Sequence, residues 1–208
     1  MCVLCTKQHE SNAVCEAGHY VCDRCHSSAQ PDFLRLLRGS DEKDPIKLFL
    51  QIAELKSVHM HGPEHHSIVP CVLLTAYRNN GGELDLEAAL GTAIKRGGQL
   101  PGGVCGYWGA CGAAIGAGIY AAIILGSNPL NKTAWSAPQS LTALCLNRIA
   151  ELGGPRCCKR TSRIAIEAAA QLTREHTGVE MPVENTPCSY CETNRECIRA
   201  GCLYYEGE

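Results

Sequence analysis

The chain has 208 residues, 45% of them hydrophobic and 19% charged, with a formal net charge of −2. That is enough for one good core with small appendages, while the weak charge and scarce aromatics argue against nucleic acid and anionic membranes as partners. Fifteen cysteines are the outstanding feature. Met1 runs into Cys2 without a basic or apolar leader, and the most apolar stretch, Ala113 to Leu125, is too short to span a bilayer comfortably. The expectation is a cytoplasmic protein with no membrane partner. In a reducing compartment its thiols serve metal, iron–sulfur or redox chemistry rather than disulfides.

Residues 1–30 are polar and carry Cys2, Cys5, Cys15, Cys22 and Cys25. Cys2-x2-Cys5 and Cys22-x2-Cys25 form two knuckles of the kind a tetrahedral four-thiolate zinc site uses. With Cys15 and His19 interposed the order is RING-like, but only His26 stands near the place of the final ligands. One closed zinc site is therefore expected, with Cys15, His19 and His26 as spare ligands or loop packing. So short a segment without an apolar core seldom folds unaided.

Residues 31–180 read as a bundle of about six helices, from their periodicity. Asp44-Pro45 resembles an N-cap followed by Pro at the first helical position, ahead of Ile46 to Leu55. Asp85 opens a second helix that Gly97-Gly98 end. Ala137 to Leu152 carries an apolar stripe that includes Leu141 and Cys145, so Cys145 reads as buried core. Arg156 to His176 is Ala-rich and stops before Gly178.

Between the first two helices, His59-Met-His61-Gly-Pro-Glu64-His65-His66 gathers four histidines and a carboxylate. Imidazole is the commonest neutral metal ligand. His61-x-x-Glu64-His65 formally matches an inverted zinc-peptidase motif, but Gly62-Pro63 interrupts the regular turn that such chemistry needs. A histidine-rich loop opening a helix near Pro63 fits better. Farther on, nine glycines lie between Gly97 and Gly118, surrounding Cys105 and Cys111. They allow close backbone approach to a ligand or a neighbouring helix. Cys111 begins an apolar helix, where exposed amides favour the thiolate, and Cys157-Cys158 opens another after Gly153-Gly154-Pro155.

Residues 181–208 are Pro- and Cys-rich and end the chain with Cys188-x2-Cys191-x5-Cys197-x4-Cys202. This is a metal-binding tail whose spacing suits zinc or a [4Fe–4S] cluster, without matching the common ferredoxin run.

The pieces Cys71, Gly97-Gly98, Gly102-Gly103, Cys105-Gly106, Cys111-Gly-Ala-Ala-Ile-Gly116 and Cys157-Cys158 resemble the redox-active family named for its C-GCAxxG-C-C cysteine pattern. The resemblance covers roughly residues 61–176 and implies a helical fold with a cysteine-centred site. With its His-Gly-Pro-Glu-His-His segment the whole chain is also similar to an uncharacterised cysteine-rich prokaryotic family, seen mainly in anaerobes and joined in some relatives to a methyltransferase. Neither resemblance implies a substrate, and the metal-knuckle ends depart from a plain dithiol pattern.

Together these readings predict a mainly α protein: a helical core with a small N-terminal zinc knuckle and a Cys-rich metal-binding tail. The expected core site gathers His61, His65, His66, Cys71, Cys105, Cys111, Cys157 and Cys158, with Cys71, Cys105, Cys111 and Cys158 as the reactive thiols. It would hold an iron–sulfur cluster or a soft metal for redox or sulfur-transfer chemistry on a small substrate. The alternatives are a zinc-stabilised, non-catalytic partner-binding module or adaptor and, third, a thiol–disulfide oxidoreductase. A second copy of the chain or a methyltransferase-type protein is the partner class these readings suggest.

Overall fold

The computed structural model describes Met1, Cys2, residues 6–8, Tyr20, Cys22, Cys25 and residues 30–207. Eight α-helices and no strand lie within the described residues. Helix α1 (Gln30–Gly39) buries Phe33 and Leu37, one turn apart; so short a stripe is not announced by periodicity alone. Helix α2 (Pro45–Ala53) begins as its sequence predicts. Asp44 Oδ1 accepts from the Ile46 and Lys47 amides at 2.7 and 3.3 Å, and Pro45 occupies the first turn.

Helix α3 (Glu64–Asn79) is the axis of the bundle. It packs on α1, α2, α4 (Leu86–Gly97), α6 (Gly112–Ile124) and α8 (Cys158–Thr177), and every residue from Glu64 to Tyr77 is buried. Pro70, inside α3, removes the amide that the helical ladder would offer the His66 carbonyl. Helix α6 closes on that point. A Cβ on Gly116 would stand 3.0 Å from both the His66 carbonyl oxygen and Pro70 Cδ, and one on Gly112 would stand 2.1 Å from His66 Cδ2. Only glycine lets α6 lie this near α3.

The short α5 (Val104–Tyr107) links α4 to α6, and α7 (Ser136–Leu152) covers the outer side of α6, with Leu141 and Cys145 turned into the core. Tyr120 of α6 and Thr173 of α8 join hydroxyls at 2.7 Å inside that core. Helix α8 ends at Gly178, which takes a positive φ of 73° with His176 in the last turn. No helix among the described residues is long and apolar enough to cross a membrane.

After α8 the chain returns over α2 and α8 as an irregular tail with one 3₁₀ turn, Arg199–Gly201. Asp44 Oδ2 accepts from the Glu184 amide at 2.9 Å, so one carboxylate both caps α2 and fixes the tail. On α8, Glu167 accepts from the Tyr204 hydroxyl at 2.9 Å. Arg163 donates to the Thr186 carbonyl and stacks 3.7 Å from the centre of the Tyr204 ring.

Candidate metal centres and a cysteine-lined cavity

Three helix starts meet at one place. The first turn of α3 brings His65 and His66, the start of α6 brings Cys111 and Gly112, and the start of α8 brings Cys157 and Cys158. With Cys105 of α5 they line a cavity of about 510 Å³, closed on the far side by the end of α7. Amides at helix starts carry partial positive charge, so the cavity wall favours anionic ligands.

The histidines differ in role. His65 is 1% exposed, and its Nε2 donates to the His59 carbonyl at 3.1 Å. That hydrogen bond fixes the tautomer and leaves the lone pair on Nδ1, which is buried with no hydrogen-bond partner among the described residues. Burial, with Lys159 nearby, holds its pKa down at about 3, so the ring stays neutral. His66 Nδ1 donates to the Leu100 carbonyl at 3.2 Å, and its ring lies against Gly112.

His61 stands outside the cavity lining. Its Nδ1 takes the Cys158 amide at 3.5 Å, while Nε2 faces Asn194 Oδ1 at 3.1 Å and Glu196 Oε2 at 3.3 Å. Burial and the Arg156 charge lower its pKa. With both ring nitrogens engaged, His61 ties the start of α8 to the tail.

Of the expected thiols, Cys105, Cys111, Cys157 and Cys158 line the cavity, and Cys71 does not. Cys71 lies five residues beyond His66 on a helix buried on all sides, within the apolar core; burial drives its thiol far above the ordinary range. Cys158 is partly exposed to the cavity, yet burial of its sulfur pushes its pKa up to about 12. Such a thiol stays protonated by itself and becomes a thiolate on binding a cation. This suits a metal ligand better than an unaided nucleophile.

The terminal cysteines form two further groups. Sγ of Cys2, Cys22 and Cys25 lie within 4.8 Å of one another, and the Cys22 amide donates to Cys2 Sγ at 3.4 Å. A tetrahedral zinc ion with bonds of about 2.3 Å holds its sulfurs about 3.8 Å apart, so this group has the width of a single ion. Cys5, the expected fourth ligand, and Cys15, His19 and His26 lie outside the described residues.

In the tail, Cys188, Cys191, Cys197 and Cys202 surround one small chamber, and Cys157 of α8 completes its wall. Lys159, Arg160 and Arg163 line the same chamber and are 2%, 4% and 2% exposed. Cys157 thus belongs to both the chamber and the cavity. Sequence reasoning placed it only in the cavity and missed the three cations. Their signal was present: basic residues in the opening turns of α8 oppose the helix dipole, which points to a negative group nearby.

None of the curated proteins and no solved structure matches the chain. Residues 34–205, from α1 through the last tail cysteine and leaving out the N-terminal thiols, match a family of unknown function (DUF5714). The chain belongs to that family.

Proposed function

We propose that the protein is a metalloprotein whose cavity, walled by Cys105, Cys111 and Cys158 with His65 beside them, holds an iron–sulfur cluster or a soft metal for redox or sulfur-transfer chemistry on a small molecule. The observation that carries this reading is the neutral, tautomer-fixed His65, its Nδ1 buried and without a hydrogen-bond partner among the described residues, at a cavity lined by four thiols, Cys157 being shared with the tail. When bound, such a group supplies electron transfer and a coordination position open to ligand. The residues do the rest. The His59 carbonyl orients His65, the Leu100 carbonyl orients His66, and the starts of α3, α6 and α8 stabilise negative charge. The volume of about 510 Å³ leaves room for a small substrate beside the metal group.

Anaerobic purification followed by iron, sulfide and zinc analysis tests this. The C105S/C111S/C158S variant should lose metal, visible absorption, or both, and H65A should shift the electron paramagnetic resonance or absorption spectrum. Equal metal content and identical spectra in wild type and both variants would sink the proposal.

A second reading is a zinc-stabilised module that binds a partner. It is favoured by Tyr107, Trp108 and Trp135, which are 66%, 64% and 51% exposed. It expects zinc at the N-terminal thiols and no effect of the cavity variants on metal content.

A further inference from the structure

The tail chamber carries an assignment that is independent of the cavity. Five thiols face it, one more than a tetrahedral ion uses. Among the described residues, no three ligand atoms apart from those of Cys2, Cys22 and Cys25 all lie within 4.8 Å of one another. The chamber sulfurs are therefore spread more widely than one zinc ion holds them. A [4Fe–4S] cluster takes four cysteine thiolates, one on each iron, and so holds its ligands farther apart than a single ion does.

The charge of the wall points the same way. Lys159 Nζ donates to the Ala53 carbonyl at 3.1 Å, and Arg160 donates to the Gly153 and Pro155 carbonyls, each at 2.9 Å. Arg163 donates to the Thr186 carbonyl, and its buried Nε has no hydrogen-bond partner among the described residues. Three buried cations are thus hydrogen-bonded to neutral carbonyls, with Glu64 and Glu167 acting only at longer range on Lys159 and Arg163. Buried charge of this kind calls for a compensating anion. The sulfurs already receive donors of the sort that tune clusters. Tyr190 and Arg199 amides point at Cys188 and Cys197, each at 3.4 Å, and the Arg160 amide and Asn194 Nδ2 point at Cys157, each at 3.5 Å.

We infer that the chamber seats a [4Fe–4S] cluster with Cys157 as one ligand and tail cysteines as the others, its negative charge balanced by Lys159, Arg160 and Arg163. Cys157 would then join the tail to α8 through the cluster.

The test uses the full chain carrying C105S/C111S/C158S, so that a metal group in the cavity does not contribute. After anaerobic reconstitution with ferrous iron and sulfide, about four irons and four sulfides per chain are expected. Adding C157S should remove most of both while the helical circular dichroism is kept. Should that variant fail to fold, C157D supplies an oxygen ligand and should change the paramagnetic resonance spectrum of the reduced cluster. Zinc in place of iron and sulfide in the starting variant overturns the cluster. Full iron content in C157S, or an unaltered spectrum in C157D, overturns Cys157 as a ligand. The cavity proposal stands or falls on its own variants, because Cys157 is intact in them.

Discussion

The closeness of α3 and α4 rests on Gly97, and replacing it with alanine measures that contact. A Cβ there would stand 2.6 Å from Ser67 Oγ, 2.8 Å from the His66 carbonyl oxygen and 2.9 Å from Ser67 Cα. A hydroxyl can turn away, but the other two atoms belong to the backbone of the fully buried α3. Relief therefore needs α4 to shift as a body, at the overpacking cost of about 1–3 kcal/mol. The helix propensity of alanine returns at most about 1 kcal/mol, and Gly97 is the last residue of the helix. G97A should lose about 1–2 kcal/mol net. Gly91 is the internal control: it lies on the exposed side of the same helix with nothing within 4 Å of its Cβ position. G91A should gain about 0.5–1 kcal/mol. Urea unfolding followed by circular dichroism, at matched metal content and with a common slope, reads both. If G97A equals or exceeds the wild type while G91A shows its gain, the described approach of α4 to α3 is wrong. The same shift would also pull the Leu100 carbonyl from His66, so G97A should disturb any spectrum that arises in the cavity.

Three further outcomes are expected. D44A removes a cap and leaves the buried Ile46 amide and the part-buried Glu184 amide without their acceptor, costing about 1–2 kcal/mol in urea unfolding; D44N, which keeps an oxygen, should lose less. Burial raises Cys145 from 9.0 to about 12, so its contribution is full below pH 9 and falls as pH rises, because the unfolded chain releases its proton first. Between pH 8 and pH 10 the loss is about 1.4 kcal/mol, and C145A should show that much less decline over the same interval. C22S should lower bound zinc by about one ion per chain and leave the helical signal of residues 34–205 nearly unchanged.

Local signals were legible and distant ones were not. Asp44-Pro45, Asp85, Pro63 and Gly178 mark helix ends through chemistry confined to a few residues, and each stands at the end it announces. Cys105, Cys111 and Cys158 were legible as neighbours in space, lining one cavity, because each sits beside a glycine or at a helix start. Cys71 was misplaced for a physical reason: α3 is buried on every face from Glu64 to Tyr77, so its periodicity does not say which side meets the cavity. Cys157 was half read. Its place in the cavity follows from its helix start, but its place in the tail chamber depends on where residues 188–202 dock. That docking is set by Asp44, Glu167 and Arg163, far away in sequence.

The two proposed sites are divided by a single peptide bond. Cys157 is the extended N-cap residue of α8, with φ −144° and ψ 104°, while Cys158 is its first helical residue. Backbone that changes from extended to helical turns successive side chains to different sides, so Cys158 faces the cavity alone and Cys157 reaches the chamber as well. A short circuit of hydrogen bonds holds this arrangement. The Cys158 amide donates to His61 Nδ1, which places the ring proton on Nε2 and directs it to Asn194 Oδ1. That acceptor fixes the Asn194 amide, whose Nδ2 then donates to Cys157 Sγ. A histidine that sequence analysis placed among the ligands thus performs a different task. It sets the two adjacent cysteines, and the tail that one of them meets, in a fixed relation, which is the condition for the two proposed metal groups to communicate across a shared wall.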